Sequence, residues 1–135
     1  MTSNQVHLSK RLAAIAAYID SDSRVADIGT DHALLPIALI QEQRASFVVA
    51  SDIGAGPVGI ARDNVAQHGL TGTQIEVRQG NGLAGIRLND GIDTVVIAGM
   101  GGELIARILT AGQSHLDGTE TLILSPHRDE YLVRQ

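Results

Sequence analysis

Five short stretches carry most of the side chains able to do chemistry: Asp27-Ile-Gly-Thr-Asp-His32, Asp52, Gly80-Asn-Gly-Leu83, Ala98-Gly-Met-Gly-Gly102 and Ser125-Pro-His127. Each begins where an apolar, strand-like run stops. The first is the most informative. It sets Asp27, Asp31 and His32 around Gly29, between a strand-like segment at 24–28 and a helix-like run that starts at Leu34. Turns of this kind hold nucleotide-like ligands, because a glycine lets the backbone approach the ligand closely. Such a turn normally carries two or three glycines. Here Asp31 and Ala33 stand where two of them are expected.

Asp52 lies 25 positions after Asp27, one strand-to-strand step along an alternating chain. An acid at that point commonly accepts hydrogen bonds from ribose hydroxyls; the competing reading is a cap on the following helix. Asp31 then separates the possible ligands. A dinucleotide pyrophosphate would be repelled by a carboxylate in the turn. A ligand with ribose and adenine but no phosphate avoids that conflict. S-adenosylmethionine (SAM) is such a ligand, and its sulfonium and ammonium groups are cationic.

The elements that must position these residues read as follows. Leu8, Leu12, Ile15 and Ile19 share one face of a helix over 8–19. A strand at 24–28 precedes a helix over 34–43, with Pro36 tolerated in its first turn. The apolar run at 46–52 reads as a strand buried on both faces. A helix over 56–70 turns Val58, Ala61, Val65 and Ala66 inward. Alternation at 73–80 places a strand toward a sheet edge, 91–102 is a central strand ending in a glycine-rich turn, 103–112 is a helix, and 120–127 is a fifth strand. Strands alternating with helices imply an α/β fold, a parallel sheet with helices on both faces. Ligands bind such sheets at the carboxyl ends of the strands.

Composition bounds the reading. The 135 residues make a single domain, 1–135, with 44% hydrophobic residues and enough length for a core. There is no cysteine, hence no thiolate ligand or nucleophile, and no metal is expected. No apolar run reaches the ~18 residues that span a bilayer, and the start of the chain lacks an apolar signal core. No membrane association and a cytoplasmic location are therefore expected. The net charge of −5, the single lysine and the three aromatics (Tyr18, Phe47 and Tyr131) weigh against nucleic acid as a partner.

"VADIGTDHALLPIAL", "GPVGIARDNVAQHGL", "IEVRQGNGL" and "IDTVVIAGMGGELIARIL" occur in the order found in a known family. On these motifs the chain resembles the Rossmann-like class I SAM-dependent methyltransferases, and more narrowly the bacterial tRNA adenine-N1 methyltransferases of the TrmK type. The resemblance implies SAM as cofactor and tRNA as substrate, with methyl transfer to N1 of an adenine in the D-arm region, at tRNA position 22. It implies SAM contacts at Asp27, Gly29, Asp52, Asn81, Gly82 and Leu83, and an acceptor-side loop of Gly99, Met100, Gly101 and Gly102. Asp31 is the expected catalytic carboxylate, with a capping role as the alternative, and His32 either assists or is structural. Met100 either packs on the acceptor base or lies in the core.

Two positions depart from the family pattern: Asn81 replaces an Asp, and Ser125-Pro-His127 replaces a segment resembling Gln-Pro-Asn. Family members continue past the fifth strand, so a truncated methyltransferase sheet is expected here. A non-catalytic SAM-binding module and a small-molecule methyltransferase are the alternatives. The oligomeric state is not encoded in any pattern.

Overall fold

The computed structural model describes residues 5–70 and 72–126. In chain order the elements are α1 (Lys10–Ala17), β1 (Ser23–Ile28), α2 (Leu34–Gln41), β2 (Ala45–Asp52), α3 (Ala55–Gln67), β3 (Ile75–Gln79), β4 (Thr94–Met100), α4 (Gly102–Ala111) and β5 (Thr121–Pro126). Short 3-10 turns occupy Gly82–Gly85, Leu88–Asp90 and Gln113–His115. The five strands are all parallel, in the order β3-β2-β1-β4-β5. The chain steps outward from β1 through β2 to β3, then crosses back to lay β4 on the other side of β1. The strand order therefore reverses between β1 and β4, the place where such sheets open a crevice.

Alternation along the strands explains the continuous apolar runs. Val25, Val48, Ala50 and Val96 face a cluster with α1, α2 and α3; Ala26, Ile28, Val49, Val95 and Ile97 face a second cluster with α4 and the 82–86 segment. A strand covered on both sides needs apolar residues at every position. β3 pairs with β2 alone and is an edge strand; Ile75 is buried, Glu76, Val77 and Arg78 are half-buried and Gln79 is exposed, so its sequence alternation is not matched by alternating burial.

The helices follow their apolar stripes. Ile15 and Ile19 are buried and Leu8 and Leu12 pack partly against the same cluster, while Ser9 caps α1 through its Oγ, which accepts the Leu12 N–H at 3.2 Å. In α3, Val58, Ala61 and Val65 are buried, but Ala66 is exposed, contrary to expectation. One residue past Val65 is a rotation of about 100°, enough to leave the buried stripe. Element ends lie within three residues of the sequence reading, and His127 and Tyr131 lie outside the described residues.

Arg78 of β3 supplies a polar anchor. Its Nη1 and Nη2 donate to Oδ2 and Oδ1 of Asp90 at 2.8 and 3.0 Å, and Nη1 also donates to the Gly85 carbonyl at 2.7 Å. Both side chains are about nine-tenths buried. This bidentate pair fastens the 82–90 segment to the sheet and thereby fixes where Asn81 and Gly82 stand. Among the described residues no helix is long and apolar enough to cross a membrane, and no group of three or more His, Asp or Glu side chains is placed to hold a metal ion.

Candidate functional site

The turn after β1 is built on three left-handed residues. Gly29, Asp31 and Ala33 have φ of 74°, 60° and 63°. The backbone of a three-glycine turn is thus kept with only one glycine. Asp tolerates this region, and Ala does so at a cost of about 1–2 kcal/mol. A strained turn persists only where its surroundings over-determine it. The N–H groups of Gly29 and Thr30 both donate to the Ser51 carbonyl, at 2.8 and 2.9 Å, and the Ala33 N–H donates to the Thr30 carbonyl at 3.1 Å. The Asp31 N–H donates to Asp52 Oδ2 at 3.1 Å. Finally, Asn64 of α3 donates from Nδ2 to the His32 carbonyl at 2.8 Å.

The acids have distinct surroundings. Asp27 is 5% exposed at the end of the central strand, and its Oδ2 accepts the Thr30 hydroxyl at 2.8 Å. Burial, and the neighbouring charge of Asp52, push its pKa up to about 7 against the Thr30 hydrogen bond. Asp52 is half-buried; Oδ2 takes the Asp31 N–H and Oδ1 the Gly54 N–H at 3.2 Å. It does not cap α3: the N-cap is Gly54, without a side-chain cap bond. Nor does Asp31 cap α2, whose N-cap is Ala33. The Asp31 side chain is 74% exposed, and its Oδ1 lies 3.8 Å from His32 Nε2, too far for a hydrogen bond but close enough for attraction once the imidazole is protonated.

These groups surround one cavity of about 510 Å³ at the switch point, lined by Asp27, Gly29, Asp31, His32, Asp52, Gly99 and Met100, with Arg11 and Leu12 of α1 opposite. A smaller hollow of about 120 Å³ adjoins it, lined by Ile53, Gly80, Asn81, Gly82, Leu104 and Ile108. Gly29, Asp52 and Met100 line both. The partition between them comes from a bulge. The β4–β5 register runs from Ala98–Ser125 to Met100–Pro126, passing over Gly99, whose φ is 76°. An extra residue of this kind re-aims the one that follows it. Met100 therefore lies across Gly29, where its Cε leaves no room for a Cβ.

Most of the residues given a catalytic, cofactor or acceptor role from the sequence line these two hollows; Leu83, Gly101 and Gly102 do not, nor do Ser125 and Pro126 of the last stretch. Leu83 is 1% exposed, packed in the second cluster; with Asn81 and Gly82 it lines a third hollow of about 320 Å³ between α4 and the 82–85 turn, which shares Asn81, Gly82, Leu104 and Ile108 with the smaller one. Gly101 and Gly102 line neither of the two hollows: Gly101 is the N-cap of α4 with an ordinary φ of −64°, and Gly102 opens the helix. Met100 proves both wall and core, since it also packs against the second cluster. Sequence reasoning passed over Ile53, 63% exposed beside the smaller hollow, and Asn64. An apolar residue directly after a strand-ending acid was the available signal for Ile53.

A sheet of order β3-β2-β1-β4-β5 with acids at the ends of β1 and β2, and a bulged glycine closing β4, defines the class. The chain belongs to the methyltransferase-domain family, whose model matches residues 8–135. It is 44% identical over 132 residues to the tRNA (adenine(22)-N(1))-methyltransferase of Bacillus subtilis (strain 168), covering 98% of this chain and 55% of that one. The crystal structure of the Bacillus subtilis tRNA methyltransferase TrmK superposes with a TM-score of 0.86 at 46% identity, over 90% of this chain and 51% of that one. Streptococcus pneumoniae Sp1610 in complex with S-adenosyl-L-methionine gives 0.85 at 42% identity, over 89% and 56%. The similarity to TrmK-type enzymes is therefore shown, and the chain spans about half the length of these relatives.

Proposed function

We propose that this chain is the SAM-binding, methyl-transferring part of a tRNA (adenine-N1)-methyltransferase acting on the adenine at position 22. One observation carries the proposal: Asp27, Asp31, Asp52, Gly99 and Met100 converge on one cavity, and Asn81 and Gly82 line the hollow beside it. The 44% identity to a relative of that activity supports the choice of substrate. Such a substrate implies a cytoplasmic location.

The donor set fits SAM. Asp52 borders both hollows, so a ribose held by its carboxylate would have adenine on the Ile53–Asn81 side and the cationic sulfonium and ammonium groups on the Asp27 side. A buried acid with its pKa near 7 suits a cation, whose approach returns it to the carboxylate form. Asn81 keeps an acceptor oxygen for an adenine amino group. When bound, SAM supplies a methyl group activated on a sulfonium centre.

The protein's own part is orientation and charge. Gly99 and Met100 wall the side by which a flat base enters, and the absent side chain at 99 leaves that approach open. Methylation at N1 leaves the base cationic, so Asp31 at the cavity stabilises the developing charge or takes a proton from the amino group. His32 stands beside that carboxylate, 3.8 Å away, on the same cavity wall.

Calorimetric titration of the chain with SAM, followed by methyl transfer to tRNA, tests the proposal. Binding followed by transfer to adenine N1 is expected. Binding with no transfer to any RNA, even from a chain extended to the relatives' full length, would mark a non-catalytic SAM module; transfer to a small acceptor that tRNA does not inhibit would mark a small-molecule enzyme.

A further inference from the structure

We propose that Asn64, which lies outside the cavity, is a positioning residue for Asp31; the inference rests on the catalytic reading of Asp31 above. Asp31 sits between two pinned peptides. The one before it is held by its N–H on Asp52 Oδ2 at 3.1 Å. The peptide joining His32 to Ala33 is held at both ends: its carbonyl accepts from Asn64 Nδ2 at 2.8 Å, and its N–H donates to the Thr30 carbonyl at 3.1 Å. Asn64 is the only member of this set contributed by α3.

The need for the clamp comes from Asp31 and Ala33, two non-glycine residues at positive φ. Leaving the left-handed region gains about as much as one hydrogen bond supplies, so removing a single bond is enough to let the turn relax toward extended conformations. The carboxylate of Asp31 is exposed, and among the described residues its partner is His32 Nε2 at 3.8 Å, too far for a hydrogen bond that would hold it in place. Its direction is therefore set by the backbone, and the backbone by Asn64 and Asp52. Asp52 also borders both hollows, so altering it disturbs ligand binding. Asn64 lines neither hollow, and altering it reaches the turn alone.

Amide hydrogen exchange on the 135-residue chain reads the clamp without any substrate. Asn64→Ala should speed exchange at the Asp31 and Ala33 amides by about ten-fold, with the β1 and β4 amides unchanged. SAM affinity should stay within about two-fold, while kcat for methyl transfer falls by about ten-fold at unchanged cofactor KM. Asn64→Gln, which keeps a donor, should restore part of the rate; Asn64→Asp, which has none, should not. In an Asp31→Asn background Asn64→Ala should cost nothing further. Unchanged exchange at residues 31 and 33 would overturn the clamp. Faster exchange throughout the sheet would make Asn64 a general stabilising residue, and faster local exchange with unchanged kcat would separate the turn from catalysis; either result overturns the positioning role. A wild-type sequence that binds SAM but methylates no tRNA, even when extended to the relatives' full length, overturns the catalytic reading of Asp31 instead, and the exchange data still decide whether the clamp exists.

Discussion

The backbone N–H of Asp31 donates to Oδ2 of Asp52 across 3.1 Å, joining the turn after β1 to the acid that ends β2. One carboxylate thus borders the ligand space and supports the neighbouring loop. Changes at Asp52 should report on both.

Asp52→Ala removes a charged acceptor and should weaken SAM binding by roughly ten- to a hundred-fold. It should also loosen the 29–33 turn. Asp52→Asn keeps an oxygen for the Asp31 N–H and should lose affinity while preserving the turn, as followed by calorimetry and amide exchange. Unchanged affinity in both variants would remove the ribose assignment.

For Asp31 the choice of replacement matters because φ is 60°. Asparagine tolerates that region and removes only the charge; glycine removes the strain as well. Asp31→Asn should lower kcat by roughly a hundred-fold or more, with SAM affinity nearly unchanged and thermal stability close to wild type. Asp31→Ala should add a loss of about 1 kcal/mol in stability, so its rate alone does not isolate the carboxylate. A full rate in Asp31→Asn would exclude Asp31 from the chemistry.

Asp27 predicts a pH dependence with a definite sign. Its folded pKa of about 7 lies above the ordinary 3.8, so the folded state takes up a proton between those values. The associated stability is complete below 3.8 and is lost as pH rises through 7. Between pH 5 and 8 the free chain should lose on the order of 2–3 kcal/mol from this group, and Asp27→Asn should flatten the profile. Asp90, held below the usual range by Arg78, acts at the other end: its contribution is present above 3.8 and disappears in acid. Binding of a cation near Asp27 should release a proton at pH 6–7, detectable by titrations in buffers of different ionisation enthalpy.

Gly29→Ala meets both a φ of 74° and the Met100 side chain. The backbone term should cost about 1–2 kcal/mol, measured by denaturant unfolding. Met100 must also swing into one of the two hollows, which should reduce SAM affinity. Adding Met100→Ala should recover affinity but not the backbone cost. Equal affinity with and without Met100 would show that the methionine does not limit the space.

Much of this architecture was legible because its causes are local. The apolar runs of β2 and β4 announce burial on both faces, and the sequence alternation of β3 announces an edge. Asp27, Asp31 and Asp52 could be singled out because strand ends carry ligands in parallel sheets. What stayed hidden depends on partners distant in sequence. The bulge at Gly99 is defined only against β5, and the position of Met100 follows from that bulge. Leu83 reads like its neighbours Asn81 and Gly82, but α4 covers it: Gly112 packs against its side chain, with a Cβ built there only 2.5 Å from the Leu83 Cβ. The pairing of Arg78 with Asp90, and of Asn64 with the His32 carbonyl, left no periodic trace.

The pairing of β1 with β4 also sets when the cavity can exist. Val25 aligns with Thr94 and Ile28 with Ile97, partners about 70 residues apart, whereas β1 and β2 align across little more than 20. Closing the longer loop is the more costly entropic step, and contacts of such separation slow folding. The Asp27 and Asp52 side of the cavity is made of early sequence; the Gly99 and Met100 side arrives only when the last third of the chain docks. During synthesis, the first 90 residues hold Asp27, Asp52 and the turn between β1 and α2, but not Gly99 and Met100. A nascent chain therefore has an open-sided cavity until β4 joins β1.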